Sequence, residues 1–382
     1  MSVVSILMAM GLLLLAAKIF GNMSERLKVP SLAGELIAGM LLGPILGIVI
    51  LGDFFTGFMT VGLVIILFIA GTEVHYKDII PNIYGGSTVA AAGGLLSFFL
   101  GYLVGIFLFH DGLIGLAIGT VLVSTSNSSL FTLLMKTGKL KSELGKFIVT
   151  STIADDIVGI LIVSIFSYAT KSANIALNPF DLFKLLLVAL GFYFFILTTG
   201  SKAVDRVITS LGKFKDENIF IAIPIAVALI LAYITDNFGL SLAAGAFLAG
   251  MTMSNNKLTE HVIVPKVTTL SEGFIIPLFY AIVGTSLVLV GIDLVIVVAI
   301  FLAAVFGKFI GCAIASRFFG YNQKSSVFVG ISLIPRGNEN IAFAQIVFLL
   351  GIFSMTAYSS TILAIMLTAI FTPVFMILAE RK

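Results

Sequence analysis

The sequence predicts an all-α polytopic membrane protein with about 13 transmembrane helices, built as inverted-topology repeats with two crossed broken helices, spans 5 and 12. Of the 382 residues, 59% are hydrophobic and 11% are charged, whereas a soluble domain has about 25% charged residues. The apolar residues form runs of about 20, the length that crosses a bilayer as a helix. The two halves of the chain also share a sequence pattern. Because lipid offers no hydrogen-bond partners to the backbone, the spans must be helical.

The spans follow one another with short polar connections. In order, they are residues 3–20, 30–50, 56–73, 85–109, 112–135, 146–168, 180–200, 217–235, 238–254, 268–290, 292–316, 325–350 and 356–379. The first counts as a span rather than a cleavable signal, because it lacks a basic start and a small-residue cleavage site.

Positive charge is distributed unevenly between the connections. Loops after odd-numbered spans, together with the C-terminus, hold eighteen of the 22 Lys and Arg residues. Loops after even-numbered spans hold only Lys171 and Lys184, and the last two cations lie within spans. The positive-inside rule therefore predicts an external N-terminus and a cytoplasmic C-terminus.

The two halves of the chain resemble each other. "LAGELIAGM" (32–40) and "AAGAFLAGM" (243–251) agree at five of nine positions with an offset of 211. "GLVIILFIA" (62–70) matches "GFIIPLFYA" (273–281) at the same offset, and Gly71-Thr72 then matches Gly284-Thr285 at an offset of 213. Spans seven apart in order run in opposite directions, so the halves are expected to be inverted repeats. Secondary transporters have this architecture, with the site at the repeat interface on interrupted helices.

Two spans are interrupted by polar residues. Span 5 contains "LVSTSNSSL" (122–130), and span 12 contains "LIPRGNENIAF" (333–343), in which a proline and a glycine break the helix. An offset of 213 pairs Thr125-Ser126-Asn127 with Asn338-Glu339-Asn340. The expected lining of the broken-helix site is Thr125, Ser126, Asn127, Asn338 and Asn340.

Span 6 carries two adjacent carboxylates, Asp155 and Asp156, inside an apolar run. Each costs roughly 3 kcal/mol or more at mid-bilayer, which indicates a functional role. Desolvation and like charge favour the protonated form of such a pair. Ser151 and Thr152 lie one turn earlier and are expected to supply further oxygen ligands. The pattern therefore predicts an ion- and proton-binding site that exchanges protons for a metal cation.

Three further charges lie within spans. Lys308, in span 11, is expected to pair with a buried aspartate rather than to extend its side chain to the interface. Arg336 and Glu339 are expected to form a structural charge pair that neutralises the ends of the half-helices.

Three other functions are weighed against exchange. An intramembrane aspartyl protease needs two carboxyls that face each other from different helices, and neighbours on one helix do not readily do so. A gated cation channel needs a continuous pore rather than midplane carboxylates beside paired helix breaks. An organic-anion/sodium symporter of similar fold has fewer spans and lacks the two-aspartate motif.

The motifs resemble those of the monovalent cation/proton antiporters, and specifically prokaryotic sodium/proton antiporters of the second cation/proton antiporter family. The resemblance rests on "ADD" in span 6, the polar break in span 5, "PRG" in span 12 and the lysine in span 11. "VPSLAGELIAGMLLGP" (29–44) and "LFIAGTEVHYKDI" (67–79) add to it, so that it covers essentially the whole chain. One departure is that Asn338 stands directly after the Arg-Gly pair, where relatives have an acidic residue.

The resemblance implies that Asp156 carries the ion and that Asp155 pairs with Lys308 in the proton-loaded state. It implies electrogenic exchange of Na⁺ (or Li⁺) for protons by alternating access, in a prokaryotic inner membrane. The alternatives are an electroneutral K⁺/H⁺ antiporter of the same fold and, less favoured, a cation channel. The expected partners are a second copy in a homodimer, the lipid bilayer, monovalent cations and protons, with no nucleic acid, no enzymatic activity and no cofactor.

The resemblance also implies a division into domains. The dimerisation domain comprises residues 1–73 and 217–290, and the mobile core ion-transport domain comprises 85–168 and 292–379. Residues 180–200 form a linker helix between them.

Overall fold

A computed structural model describes residues 3–74, 83–140, 142–171, 187, 191, 196–211, 217–238, 240–254 and 256–380. Every regular element in these ranges is a helix, as the sequence predicts. Eight helices are long and apolar enough to cross a membrane, and three apolar helices are shorter. Most of the predicted linker helix, 180–200, lies outside the described residues, and the count of thirteen spans stays a prediction.

The helices follow the predicted spans closely. In chain order they are α1 Val3–Arg26, α2 Ser31–Met40, α3 Asp53–Thr72, α4 Ile83–Val104, α5 Gly112–Val121, α6 Asn127–Lys136, α7 Glu143–Lys171, α8 Ser201–Leu211, α9 Ile219–Asn237, α10 Leu242–Met253, α11 Val264–Leu270, α12 Ile276–Ser286, α13 Leu294–Phe318, α14 Gln323–Ser332, α15 Asn338–Leu349 and α16 Met355–Glu380.

Contacts divide the chain into two compact units. Unit 1 comprises Met1–Thr56, Asp78–Gly159 and Pro277–Lys382, and unit 2 comprises Gly57–Lys77 and Ile160–Ile276. Within unit 1, α4 packs along α13, α1 packs on α2, and α16 contacts α2, α13 and α14. Within unit 2, α9 packs on α10. All residues proposed from the sequence for the ion site belong to unit 1.

The helix boundaries repeat along the chain with a constant offset. Starts of α2 and α10, α4 and α13, α5 and α14, and α6 and α15 are each 211 residues apart, and α7 and α16 start 212 apart. Local signals repeat as well, because Asp111 caps α5 and Asn322 caps α14 with side-chain oxygens that accept backbone N–H bonds. This regularity supports the internal repeat that the sequence indicates.

The offset of 213 predicted for the broken helices is wrong. Both breaks begin and end 211 residues apart, so Asn127 corresponds to Asn338 rather than to Asn340. The offset of 213 is confined to α3 and α12, where Phe68 and Ala281 occupy equivalent contacts. Two π-helical turns, Thr259–Ile263 and Ser271–Ile275, precede α12. Because a π turn takes one residue more than an α turn, two of them account for the two inserted residues.

Helices α2 and α12 of unit 1 pack backbone against backbone. A Cβ added to Gly39 would lie 2.0 Å from the carbonyl oxygen of Ala281, and one added to Gly284 would lie 2.2 Å from that of Leu36. No side chain larger than hydrogen fits at either glycine, so α2 and α12 approach more closely than ordinary helices.

Unit 2 contains the equivalent pair, α3 and α10. A Cβ added to Gly250 would lie 2.1 Å from the carbonyl oxygen of Phe68, and one added to Gly71 would lie 2.1 Å from that of Phe247. Gly250 corresponds to Gly39 and Gly71 to Gly284. The two units therefore contain the same glycine-based helix contact.

Candidate ion-binding site

The two helix breaks meet and supply each other's backbone partners. The N–H of Ser126, in the first break, donates to the carbonyl of Pro335 in the second at 2.8 Å. In the other direction, Nδ2 of Asn340 donates to the carbonyls of Val121 at 2.7 Å and Ser124 at 3.0 Å. Buried backbone groups must be paired, and at membrane depth irregular backbone is tolerated only where the protein satisfies it. The breaks are therefore stable because they cross.

Asp156 of α7 faces the first break and has two neutral contacts. Its Oδ1 accepts from the Ser124 hydroxyl at 2.6 Å, and its Oδ2 accepts from Nδ2 of Asn127 at 2.7 Å. The side chain is 1% exposed. Glu339 of α15 is close enough to act electrostatically on this carboxyl.

Asp155 has a cationic contact as well as a neutral one. Its Oδ2 accepts from the Thr125 hydroxyl at 2.9 Å and forms an ion pair with Nζ of Lys308, both side chains being fully buried. Its Oδ1 is buried without a hydrogen-bond partner among the described residues. The two neighbouring aspartates thus differ in charge environment, since one has a fixed cation and the other does not.

The Arg336 guanidinium is bound mainly to backbone oxygens. Its Nη1 donates to the carbonyls of Leu333 (3.2 Å) and Ile334 (3.1 Å), and its Nη2 donates to that of Ala304 (3.1 Å). The charge therefore neutralises the open carbonyl end of α14, as expected for a half-helix terminus. The ion pair predicted with Glu339 is not present among these described contacts, so that prediction is corrected.

The other residues expected at the site lie near the crossing but have different partners. Ser151 and Thr152 donate to the carbonyls of Phe147 (2.9 Å) and Ile148 (3.1 Å), one turn earlier on their own helix. Asn338 opens α15 and is half-buried.

Three contacts were not expected from the sequence. Ser124 contacts Asp156 directly, although only its position in a run of polar residues hinted at a role. Ser97 of α4 accepts from Nη2 of Arg336 at 3.4 Å, and Thr368 of α16 accepts from the N–H of Arg336 at 3.1 Å. Single hydroxyl residues in apolar spans are common, so the sequence carried no signal for these two.

Comparison with known families decides the identity. The sequence profile of the family described as "Sodium/hydrogen exchanger, transmembrane" matches residues 11–377. The chain belongs to the sodium/hydrogen exchanger family. This exchanger is a multi-pass membrane transporter rather than an enzyme, and its ions are substrates rather than cofactors.

Individual relatives agree with this assignment over nearly full length. The Na(+)/H(+)-K(+) antiporter GerN of Bacillus cereus is 26% identical over 95% of this chain and 93% of its own. The Na(+)/H(+) antiporter of Enterococcus hirae is 26% identical over 97% of each chain. The solved structure of the sodium proton antiporter MjNhaP1 from Methanocaldococcus jannaschii superposes with a TM-score of 0.70, at 16% identity, over 99% of this exchanger and 97% of that chain. The likeness to that structure shows the fold.

Proposed function

We propose that the exchanger binds Na⁺ (or Li⁺) and protons alternately at Asp156, and moves one Na⁺ against two protons by alternating access. The observation that carries this proposal is the difference between the two buried aspartates. Lys308 already balances the charge of Asp155, whereas Asp156 is held by the neutral Ser124 and Asn127. A buried carboxylate with neutral contacts gains most from a proton or a cation.

The contacts of Asp156 suit a small hard cation. Oxygen ligands are preferred by such ions, and the Ser124 hydroxyl adds an oxygen to the carboxylate. The amide of Asn127 donates its N–H when no cation is bound, and rotation about its last side-chain bond would present its oxygen instead. Proton and Na⁺ would then compete for the same carboxylate.

The pair of Asp155 and Lys308 supplies the second proton in this proposal. When Asp155 turns toward a bound cation, Lys308 is left charged in a low-dielectric interior, and the cheapest response is to release its proton. One Na⁺ would then exchange for two protons, so that one net charge crosses per cycle. At about 2.3 kcal/mol per charge per 100 mV, the membrane potential would help to drive Na⁺ extrusion.

The choice of ion has one rival with support of its own. GerN is named as a Na(+)/H(+)-K(+) antiporter, so K⁺ is the alternative cation, with electroneutral exchange as the alternative stoichiometry. We favour Na⁺ and electrogenic exchange because the two-aspartate motif resembles that of sodium-specific relatives.

The larger assembly is also a proposal. By resemblance, 85–168 and 292–379 form a mobile core that carries the site past a dimerisation domain of 1–73 and 217–290 in a homodimer. The distribution of Lys and Arg places the N-terminus outside and the C-terminus in the cytoplasm.

Proteoliposomes test the function directly. Dissipation of a pH gradient is followed on addition of Na⁺, Li⁺ or K⁺, with the potential free or clamped by valinomycin where K⁺ is not the test ion. Asp156→Asn should reduce exchange to that of protein-free vesicles, while Glu143→Gln, which removes an exposed carboxylate from the start of the same helix, should leave it unchanged. Na⁺ exchange that responds to potential supports the proposal. A K⁺ response with no net charge transfer, shown by a potential-sensitive dye, would overturn both ion and stoichiometry, and retained exchange in Asp156→Asn would overturn the site.

A further inference from the structure

A second buried polar cluster lies in unit 1, apart from the aspartate pair. It comprises Glu35 of α2, Tyr280 of α12 and Glu339 of α15, with exposed fractions of 3%, 1% and 6%. The carboxyls of Glu35 and Glu339 both act electrostatically on the Tyr280 hydroxyl. That hydroxyl is buried and has no hydrogen-bond partner among the described residues.

The glycine contact between α2 and α12 places Glu35 and Tyr280 at the same level. Gly39 meets Ala281, and Gly43 meets Thr285, four residues farther along each helix. The two helices therefore run parallel here. Glu35 lies about one turn before this contact on α2 and Tyr280 about one turn before it on α12, so both lie on the same side of the crossing.

The repeat shows that helix packing does not need these polar groups. In unit 2 the same contact between α3 and α10 has Leu67 in the place of Tyr280 and Ala246 in the place of Glu35. Both are fully buried. An apolar pair is therefore compatible with the contact, and burying a carboxyl costs free energy that an apolar residue does not. The polar pair in unit 1 needs a reason other than packing.

The count of buried charges indicates what that reason is. Among the described residues, the charged side chains that are less than 9% exposed are four carboxyl groups and two cationic groups. The carboxyls are Glu35, Asp155, Asp156 and Glu339, and the cations are Lys308 and Arg336. Since an excess of two buried negative charges is costly, two positive charges are expected to enter. One Na⁺ or proton at Asp156 supplies only one of them.

We propose that Glu35 binds a proton in a second site, which it forms with the Tyr280 hydroxyl and Glu339, and that this site is coupled to Asp156. The inference rests on the proposed function, because the coupling acts on the transported ion. A protonated Glu35 can donate to the Tyr280 hydroxyl, and an ionised Glu35 can accept from it. Glu339 acts on both Tyr280 and Asp156, and so links the two sites.

The other charged groups around Glu35 are few. On α1, Gly21 faces the Glu35 side chain, because an added Cβ there would lie 3.2 Å from its Oε1. The charged residues of α1, Lys18, Glu25 and Arg26, are exposed. On α16, which also packs against α2, Tyr358 is the one titratable residue before Glu380.

The test compares pH profiles of Na⁺/H⁺ exchange for the wild type, Glu35→Gln, Tyr280→Phe and Glu25→Gln. Glu35→Gln removes a negative charge near Glu339, so more acid is needed to keep Asp156 protonated. The acid limb of the profile should move by roughly half to one pH unit to lower pH. Tyr280→Phe removes the donor to ionised Glu35 and should give a smaller shift in the same direction. Glu25→Gln removes an exposed, screened charge and should give no shift.

Infrared difference spectroscopy of the same proteins supplies a readout that does not depend on transport. A carboxyl C=O band that titrates with pH should disappear in Glu35→Gln and persist in Glu25→Gln and Asp156→Asn. If the band persists in Glu35→Gln, or if its pH profile matches that of Glu25→Gln, the proposal is overturned. If Glu35→Gln does not fold, an unshifted profile in Tyr280→Phe overturns it. Absence of exchange in the wild type would instead contradict the proposed function, and the band would still report on Glu35.

Discussion

The two broken helices are built alike but carry different charges. At the offset of 211, Ser124 corresponds to Pro335, and the carbonyl of each accepts a hydrogen bond from the opposite break. Thr125 corresponds to Arg336, so a neutral hydroxyl stands in the first break where the second has a guanidinium. The repeat has supplied one backbone arrangement twice and a fixed positive charge only once.

The helices that face the two breaks differ in the same way. Because α7 and α16 start 212 residues apart, Asp156 corresponds to Thr368. Asp156 accepts from two side chains of the first break, whereas Thr368 accepts from the backbone N–H of Arg336. We infer that the first half supplies the exchangeable carboxyls and the second half supplies the compensating charges. The glycine contacts follow the same division, since Glu35 and Tyr280 replace an apolar pair.

The largest effect is expected from removing the cation that balances Asp155. Lys308→Met leaves a buried carboxylate without its ion pair, which should lower the free energy of unfolding by about 3–5 kcal/mol. The double variant Asp155→Asn/Lys308→Met should recover most of that loss, because both charges are then absent. Melting in detergent measures the effect, and Ser97→Ala, at the position equivalent to Lys308, is the control. Equal melting temperatures for Lys308→Met and the wild type would contradict an essential pair.

An intermediate effect is expected where the two breaks touch. Ser126 and Gly337 are equivalent residues, and a Cβ added to Gly337 would lie 2.3 Å from Oγ of Ser126. Gly337→Ser should therefore destabilise the protein by about 3 kcal/mol, the upper end of overpacking effects.

The swap Ser126→Gly/Gly337→Ser sharpens this test. It restores one side chain to the crossing and should recover most of the stability, as measured by melting in detergent. A swap that melts as low as Gly337→Ser alone would show that the two breaks are not interchangeable at this point.

The smallest effect is expected at Thr368. Thr368→Val removes the hydroxyl that accepts from the N–H of Arg336, at a cost of about 1 kcal/mol. Na⁺/H⁺ exchange should continue at a rate close to that of the wild type, in contrast to its loss in the equivalent Asp156→Asn. Loss of exchange in a folded Thr368→Val would contradict the division of roles between the two halves.

The sequence could not predict the partners of the aspartates. Ser151 and Thr152 lie on the correct faces of α7, but a hydroxyl inside a helix always has the carbonyl one turn earlier within reach. Both hydroxyls donate there. The contacts to Asp156 come from Ser124 and Asn127, about thirty residues away on another helix. Periodicity describes one helix at a time and contains no information about which neighbour faces it.

The register of the repeat shows the same limit. Sequence matches gave offsets of 211 and 213 and could not place the two inserted residues. The structure places them in π-helical turns before α12, because a helix absorbs an insertion by widening a turn. The contacts of Gly39, Gly71, Gly250 and Gly284 then align without further gaps.

By itself, the sequence determined the class of fold, the positions of the spans, the two breaks and the carboxylates on α7. These follow from local physical rules, namely the cost of exposing backbone or charge to lipid and the inability of proline and glycine to continue a regular helix. Only the tertiary structure decided which carboxyl has a fixed cation, where Arg336 donates, and that Glu35 and Tyr280 share one level of a helix contact. Those features depend on contacts between residues far apart in sequence.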